Sequence, residues 1–470
     1  MSRLVVILFL GLLGGGGWWA FGAMESTPPQ IDTASSVAYV GAQHGQEVTV
    51  FDRGRGVESV SAWVEAGDAR FEILSNSFKG GWMSGAAVKG PRQVQVTIVP
   101  SELKLPEGQA TLVIEAADFS WRRNLAQARV PLVVDSRSPR VSTQTGLTYV
   151  RQRGTEAVVY EIDEPTVQHG VEVGPYFFGG FVHPYRPSQM IAFYALPHDV
   201  PKDARPTLIA TDRAGNRTAV PLSVSVIQAV PSADRIQLSD GFMSRKVAEL
   251  LGGEQTSALD GYLKLNREMR TDNDATIKKV CATSSEEPLW SGPFLQLPNS
   301  QVRASFAEAR TYVYNGQEVD KQTHLGFDLA SNAMSPVPAA NDGVVVFSDD
   351  LGIYGKTVII DHGLSLFSLY GHLSSIQSAK GQAVARGETV GLSGATGLAG
   401  GDHLHFSMML GGVFIDPLEW FDAKWIRDHL SEKLGNGRKP GDAPSQSTGA
   451  EGSPAEVPAD AAPSSDAAGR

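Results

Sequence analysis

Cysteine is almost absent from this chain: one residue, Cys281, occurs in 470. A single cysteine excludes an intramolecular disulfide, and it also excludes the cysteine-rich ligand sets of structural zinc knuckles. No histidine or asparagine motif accompanies it, as a thiol nucleophile would require. We therefore expect Cys281 to be a small buried residue without a chemical role.

Positive charge is also scarce. The formal net charge is -11 at pH 7 and no basic cluster interrupts it. This balance opposes a phosphate backbone, so no nucleic-acid partner is expected. No glycine-rich phosphate loop follows a convincing strand, so a nucleotide-dependent enzyme is not supported either. The chain is 42% hydrophobic, and its length suffices for several separately cored domains.

Charged residues are missing from the apolar stretch Leu4–Met24. At about 1.5 Å per residue, a helix of this length reaches about 30 Å, the thickness of a bilayer's hydrocarbon core. Arg3 precedes the stretch and Glu25 follows it, which predicts a cytoplasmic N-terminus and a periplasmic body. We therefore predict a single-pass anchor in the inner membrane at residues 1–24. The alternative is a cleaved signal peptide and a secreted protein.

Short alternating runs separated by Gly, Pro, Asp and Asn turns fill residues 31–230, a pattern typical of antiparallel sheets. Within them, the segment starting at Thr111 aligns with the segment starting at Thr207, since each has an aspartate followed by an asparagine a few residues on. This repeat predicts two immunoglobulin-like β-sandwich domains, at residues 31–136 and 137–230. The paired residues are Asp118 with Asn124 and Asp212 with Asn216.

Composition divides the rest of the chain into three parts. Apolar residues recurring at three and four predict two or three helices in a linker at residues 231–289, with Ser239 or Asp240 as a helix cap. Within it, "KLNREMR" is interpreted as a solvent-exposed helix face. Glycine-rich strands return at residues 290–433. Residues 434–470 have almost nothing to bury and predict a disordered tail. The predicted fold class is therefore mainly β.

Five of the ten histidines lie between residues 290 and 425, within this group of strands. In "HLHFSMML", His403 and His405 are one residue apart, so in a strand both face the same side. In "THLGFDLA", the spacing of four between His324 and Asp328 also returns both side chains to one face if the segment is extended. Zinc accepts imidazole nitrogen and carboxylate oxygen, and a catalytic site needs three protein ligands. His324, Asp328 and one of the two close histidines would make such a set.

The motifs "HLGFDLA", "YGHL" and "HLHF", in that order and with "GLSGATGLAGGD" before the last, resemble the M23 family of zinc metallopeptidases, the LytM or lysostaphin-like group. The resemblance covers about residues 293–422 and not the predicted sandwiches. It implies an antiparallel β catalytic domain with one zinc ion. It assigns the metal to His324, Asp328 and His405, and catalysis without metal contact to His372 and His403.

By this resemblance the protein is a cell-envelope hydrolase, a zinc metalloendopeptidase that cuts peptidoglycan cross-links or stem peptides. Zinc lowers the pKa of bound water towards about 7. No H-E-x-x-H helix supplies a glutamate base, so His372 or His403 must handle the proton, and which of them does so stays open. One alternative is a non-catalytic envelope scaffold or activator that binds wall or a partner hydrolase. Another is an autoinhibited enzyme whose zinc is covered by the helical linker or a sandwich loop.

Overall fold

The computed structural model describes residues 24–435, except residues 35, 89, 144, 231 and 253–256. This part of the chain is mainly β with few helices, as predicted. None of the helices described there is long and apolar enough to cross a membrane. Apart from Met24, the predicted membrane helix at residues 1–24 lies outside the described residues, and so does the predicted tail from residue 436 onwards.

Ten strands near the N-terminus, here called the N-terminal sheets, form two larger sheets and one small pair. They are β1 (Gln30–Asp32), β2 (Ala38–Val40), β3 (His44–Phe51), β4 (Val57–Ala66), β5 (Ala69–Ser77), β6 (Gly80–Gly81), β7 (Gly85–Ala86), β8 (Arg92–Ile98), β9 (Gly108–Asp118) and β10 (Leu125–Val134). The larger sheets have the orders β1-β3-β8 and β2-β10-β9-β4-β5. They share one core because alternate residues, such as Val48 and Val50 of β3 and Val60 of β4, are fully buried between them. A short helix, Pro100–Leu103, follows β8.

The next ten strands, here called the middle sheets, lead to residue 227. They are β11 (Val141–Thr143), β12 (Thr148–Arg151), β13 (Thr155–Ile162), β14 (Thr166–Val173), β15 (Tyr176–Gly179), β16 (Phe181–Val182), β17 (Met190–Ala195), β18 (Thr207–Asp212), β19 (Arg217–Pro221) and β20 (Val224–Ile227). Their orders are β11-β13-β17-β16, β15-β14-β18-β19 and the parallel pair β12-β20.

The repeat found in the sequence gives equivalent hairpins in both sets of sheets. In each, the asparagine amide donates to the carboxylate of its own aspartate and to a backbone carbonyl of the segment that enters the sheets. These bonds join Asn124 to Asp118 (2.8 Å) and Glu25 (2.9 Å), and Asn216 to Asp212 (2.8 Å) and Asp135 (2.7 Å). The immunoglobulin-like assignment and the domain boundaries stay predictions.

The remaining strands build the C-terminal sheets. They are β21 (Ala233–Gln237), β22 (Gln301–Ala304), β23 (Glu308–Tyr314), β24 (Gln317–His324), β25 (Phe327–Ala330), β26 (Pro336–Pro338), β27 (Gly343–Asp350), β28 (Lys356–Gly363), β29 (Leu366–Leu373), β30 (Ser375–Ile376), β31 (Ala383–Val384), β32 (Thr389–Leu392), β33 (Leu404–Leu410) and β34 (Val413–Ile415). The main sheet has the order β22-β25-β33-β29-β28-β27-β31, with β34 also paired to β33. Two smaller sheets, β21-β23-β24 and β26-β32-β30, flank it. Helical turns lie at Gly352–Tyr354, Leu418–Phe421, Ala423–Trp425 and Ile426–Ser431.

Several helices lie within residues 240–280, here called the helical segment. They are Asp240–Leu251, Ala258–Lys264, the π-helical Leu265–Met269 and Arg270–Val280. Ser239 caps the first helix, since its Oγ accepts from the Phe242 backbone N–H at 3.3 Å. Strand β21 lies just before, where the sequence predicted only a helical linker, because its backbone pairs in parallel with β23. Cys281 follows the segment, buried and free.

The interpretation of "KLNREMR" as a solvent-exposed helix face holds for Lys264, Arg267 and Glu268, which are exposed, but not for the whole stretch. Leu265 and Asn266 are fully buried because this part of the helical segment packs on the β23–β24 hairpin. There the Asn266 amide donates to Asp320 Oδ2 at 2.8 Å, and Arg267 forms an ion pair with the same carboxylate at 3.0 Å. Hydrogen bonding inside the contact thus lets the polar side chain of Asn266 be buried.

The middle sheets and the C-terminal sheets share one hydrophobic core. Trp420 meets Phe193 of β17 edge to face at 6.4 Å, and its indole N–H donates to Thr155 Oγ1 at 3.1 Å. Glu156, almost fully buried, accepts from Lys433 Nζ at 2.5 Å. Apolar burial and satisfied polar bonds therefore join the two parts.

Glu419 makes the stability of this junction dependent on pH. Burial raises the pKa of its carboxyl to about 7, against 4.5 ordinarily. Between pH 4.5 and 7 the Glu419 carboxyl is protonated in the folded state and ionised in the unfolded state. The stabilisation that this carboxyl contributes is therefore complete below about pH 4.5 and is lost as pH rises through 7. We expect Glu419→Gln to remove this loss, worth up to about 3 kcal/mol, as measured by urea unfolding at pH 5 and 8. Exposed Glu432→Gln is the control, and an unchanged pH dependence in Glu419→Gln would contradict the assignment.

Candidate metal centre

Strand pairing brings the three predicted metal ligands together. His324 ends β24, and Asp328 lies opposite His405 across the pair β25–β33. Asp328 Oδ1 is 3.0 Å from His324 Nε2 and 3.0 Å from His405 Nδ1, and the two nitrogens are 3.2 Å apart. Gly326 permits this approach, because a Cβ there would lie 2.7 Å from His405 Nε2.

Hydrogen bonds on the outer side of each imidazole fix its tautomer. His324 Nδ1 lies 3.1 Å from the Ser305 carbonyl, which can only accept, so Nδ1 carries the proton. The Ser407 hydroxyl donates to the Leu325 carbonyl at 2.7 Å, so its oxygen accepts from His405 Nε2–H at 3.0 Å. Unshared electron pairs are thereby left on His324 Nε2 and His405 Nδ1, the two atoms that face each other.

Arg310 orients the carboxylate in the same way. Its Nη2 donates to Asp328 Oδ2 at 2.8 Å, which leaves Oδ1 directed at the two imidazoles. Both side chains are largely buried, with 18% and 14% of their surface exposed. A charge-assisted bond of this kind fixes both the orientation and the charge of the carboxylate.

These residues fit a divalent cation. Three atoms with unshared pairs converge within 3.2 Å of one another, and ligand atoms around a tetrahedral zinc are about 3.3 Å apart for bonds of about 2.0 Å. Two nitrogens and one oxygen form a donor set that zinc accepts, and each ligand has a hydrogen-bonded partner behind it. His324, Asp328 and His405 are therefore the residues that could hold a metal ion.

His372 and His403 lie beside this group. His403 Nδ1 donates to the Gly401 carbonyl at 2.8 Å, and His372 Nδ1 donates to that of Thr396 at 2.9 Å. In the neutral form of each ring, Nε2 is thus the unprotonated nitrogen, and that of His403 is 3.5 Å from Asp328 Oδ1. The two rings are 4.9 Å apart, and His372 takes a left-handed backbone conformation, φ 62°, to reach this position.

The protonation states suit metal binding. Burial opposes ionisation of Asp328, but the surrounding histidines, His324 first, hold the pKa of its carboxyl well below its usual value. Burial lowers the pKa of His405 to about 4, and burial with the nearby imidazoles holds the pKa of His372 well below 6.5. For His403, burial acts in the same direction, but Asp328 raises the pKa above its usual value. Ionised carboxylate and neutral imidazole are the forms that bind metals.

The five residues line a cavity of about 270 Å³. Its opposite wall comes from the helical segment, which contributes Phe242, Tyr262 and Arg270. Tyr262 packs against Tyr312 of β23 at 5.9 Å, and buried Lys246 donates to the Ala395 carbonyl at 2.8 Å. The helical segment thus connects the β23–β24 hairpin to the glycine-rich loop before β33.

Sequence reasoning named the five central residues but missed the groups that support them. Arg310, Thr396, Ser407 and the wall of the helical segment carry no motif that marks them. Tyr354, fully buried 5.3 Å from the His405 ring, is equally unmarked. Arg310 alone offers a signal, since it stands on a strand next to His324, but the register is needed to use it.

Three converging ligand atoms flanked by two imidazoles that can exchange protons are the features of a metal-dependent hydrolase. Residues 322–417 match the family model described as Peptidase family M23. The chain therefore contains an M23 peptidase domain, and the resemblance seen in the sequence is confirmed.

Curated relatives match over short stretches. DD-carboxypeptidase/endopeptidase Mpg of Neisseria meningitidis serogroup B is 39% identical over 95 residues, which are 20% of this chain and 22% of Mpg. Peptidoglycan DD-endopeptidase ShyA of Vibrio cholerae is 43% identical over 96 residues, again 20% of this chain and 22% of the relative. The chain thus spans about a fifth of the length of these relatives.

Solved structures include M23 proteins with low overall similarity. The catalytic domain of lysostaphin from Staphylococcus simulans is 26% identical, with 27% of this chain and 94% of that chain covered and a TM-score of 0.23. A peptidase M23 structure from Pseudomonas aeruginosa is 21% identical, with 57% and 93% covered and a TM-score of 0.35.

Proposed function

We propose that this protein is a zinc metalloendopeptidase of the cell envelope that hydrolyses peptide bonds in peptidoglycan. The convergence of three unshared electron pairs, from His324, Asp328 and His405, carries the proposal, because it is an arrangement that a divalent cation stabilises. The M23 domain supports peptidase activity. The name of ShyA, a peptidoglycan DD-endopeptidase, supports peptidoglycan as substrate and cross-links as the site of cleavage. The name of Mpg, a DD-carboxypeptidase/endopeptidase, keeps stem peptides as the alternative.

In this proposal His324 Nε2, Asp328 Oδ1 and His405 Nδ1 hold one zinc ion, which when bound would act as a Lewis acid on the scissile carbonyl and on water. The chain's own imidazoles move the proton. His372 and His403 each present an unprotonated Nε2 on the cavity side, so either can take a proton from the attacking water and return it to the leaving amine. The carbonyls of Thr396 and Gly401 keep both rings in the tautomer that this step requires.

An envelope location follows from the proposed substrate. We further propose that residues 1–24 tether the protein to the inner membrane. The alternative is that this stretch is cleaved and the protein is secreted. The helical segment forms one wall of the proposed substrate cleft. Autoinhibition by that segment stays a prediction.

The test uses the full-length protein and cross-linked wall fragments, with products identified by mass spectrometry. We expect cleavage with one bound zinc per chain, loss of cleavage after chelation, and its return when one equivalent of zinc is added. His405→Ala should neither take up zinc nor cleave, because it removes one of three ligands. Cleavage that persists in the chelated protein, or a pure sample that binds no divalent ion, would contradict the proposal.

A further inference from the structure

One end of the N-terminal sheets, here called the entry pole, is where the chain enters the described structure. It comprises residues 24–27 and the loops 52–56, 79–88 and 119–124. Glu25 fixes the entering chain there, since its carboxylate accepts from the Arg55 backbone N–H at 3.1 Å and its carbonyl from Asn124 at 2.9 Å. Arg55 Nη1 in turn donates to the Met83 carbonyl at 2.9 Å. The loops therefore form one surface around the entry point.

Large apolar side chains protrude from this surface. Trp82, Met83 and Trp121 have 48%, 58% and 63% of their surface exposed. They stand on neighbouring loops, because a Cβ on Gly80 would lie 2.6 Å from the ring of Phe119. Two exposed tryptophans and an exposed methionine on adjoining loops are typical of a surface that contacts a partner and not of loops that face only water.

The charges around these side chains are positive. Arg53, Lys79 and Arg122 are exposed, and none of the three forms an ion pair with another described residue. The acidic residues near them are engaged with backbone: Asp52 and Asp118 are buried and accept N–H groups, and the half-buried Glu25 accepts from the Arg55 N–H. On a chain with a net charge of -11, the entry pole thus presents a cationic face.

The entry pole also lies at the end of the N-terminal sheets that is away from the middle sheets. Strand β10 begins at Leu125, beside the pole, and ends at Val134, next to the junction where Asn216 of the middle sheets holds the Asp135 carbonyl. Its 10 residues separate the two ends by about 33 Å. A flat surface can therefore approach the pole without meeting the middle sheets.

We propose that the entry pole docks on the surface of an anionic phospholipid bilayer. Trp82, Met83 and Trp121 would lie at the interface, the depth that tryptophan prefers, and the three cations would contact lipid phosphates. The uncharged stretch Leu4–Met24 reaches the structure at this pole, and in this respect the inference rests on the membrane tether of the proposed function. An anionic bilayer accounts for the three cations and for the entry of the uncharged stretch at this pole. A surface for stacking sugars would account for the aromatic rings alone.

The test measures how deeply the pole enters lipid. A spin label is attached at Met83→Cys in the full-length protein, where Cys281 is 2% exposed and shielded from labelling. Val302→Cys, 43% exposed on β22, is the matched control. In vesicles of phosphatidylcholine and phosphatidylglycerol, we expect the label at 83 to be more accessible to oxygen than to a water-soluble nickel chelate, and the label at 302 to show the reverse.

The outcomes separate this inference from the tether. Protein that floats with the vesicles but has equally hydrated labels at 83 and 302 overturns the docking and leaves the tether standing. Protein that does not float overturns both. Shielding of the label at 83 by wall fragments, rather than by lipid, assigns the pole to glycan and also overturns the inference.

A charge variant tests the role of the cations. Arg53→Ser, Lys79→Ser and Arg122→Ser combined change only exposed side chains, so the fold should persist. We expect the label at 83 to lose its preference for vesicles with phosphatidylglycerol over phosphatidylcholine alone, with flotation and wall cleavage unchanged. An unaltered preference would show that the cations do not contact lipid.

Discussion

His403→Ala is expected to bind zinc as the unaltered protein does and to cleave wall fragments about 100- to 10,000-fold more slowly, the usual contribution of a positioned acid or base. His403 Nε2 is 3.5 Å from Asp328 Oδ1 and stands outside the three converging atoms, so its loss leaves the ligand set intact. The same split is expected for His372→Ala, whose ring lies 4.9 Å from His403. Zinc content by atomic absorption and rates of peptide release measure the two effects separately.

The control for both is His44→Ala, a histidine of β3 in the N-terminal sheets, which should change neither quantity. Unimpaired cleavage by both His403→Ala and His372→Ala would remove the imidazoles from the reaction. If wall remodelling in cells also persisted, the non-catalytic scaffold or activator would become the better interpretation, since turnover would not be what the protein supplies.

Arg310→Met is expected to weaken zinc binding about 10- to 100-fold, the usual effect of losing a partner behind a metal ligand. The guanidinium holds Asp328 Oδ2 at 2.8 Å, and without it the carboxylate can rotate and use both oxygens on one cation. Competition with a chromophoric chelator measures the affinity. Replacing zinc by cobalt should in addition show an altered visible spectrum, because the coordination by Asp328 changes.

Arg267→Met is the matched control for this variant. Arg267 also forms an ion pair on the β23–β24 hairpin, with Asp320 at 3.0 Å, but it does not contact Asp328. A loss of zinc affinity as large in Arg267→Met as in Arg310→Met would mean that the hairpin as a whole, and not the bond to Asp328, determines the affinity.

The sequence could predict the convergence on the metal centre where a strand runs without interruption. His403 pairs with Gly394 just before β33, and His405 lies in that strand, so alternation along the extended backbone places both side chains on the same side. For His324 and Asp328 the even spacing also predicted that both side chains reach the same site, but the reason is not alternation along one strand. Strand β24 ends at His324 and β25 begins at Phe327, so the two side chains arrive from different sheets.

The position of Arg310 shows what sequence reasoning could not reach. The Asn315–Gly316 turn predicts a hairpin, and regular pairing from it would put Arg310 and His324 on opposite faces. A bulge between Tyr312 and Val313 shifts the register by one residue, so that Glu308 lies opposite His324 and Arg310 shares its face. Bulges follow from tertiary packing and have no reliable sequence signal.

The partial burial of "KLNREMR", at Leu265 and Asn266, has a similar cause. Polar residues of this kind can be hydrated or can bond to a partner surface. Here the partner is the β23–β24 hairpin, where Asp320 accepts from Asn266 and Arg267. Charge content alone therefore cannot distinguish a solvated helix from one that forms the wall of a cleft.

The core that joins the middle sheets to the C-terminal sheets has a practical consequence for dissecting the protein. Cutting the chain near residue 290 would strip Trp420 of its contact with Phe193 and leave Glu419 without the Thr155 backbone N–H. Such a fragment would expose the apolar surface around Trp420 to water, and we expect it to aggregate. A fragment that keeps these contacts has to include the middle sheets, so we expect one that begins near the predicted boundary at residue 137 to be the soluble form for enzymology.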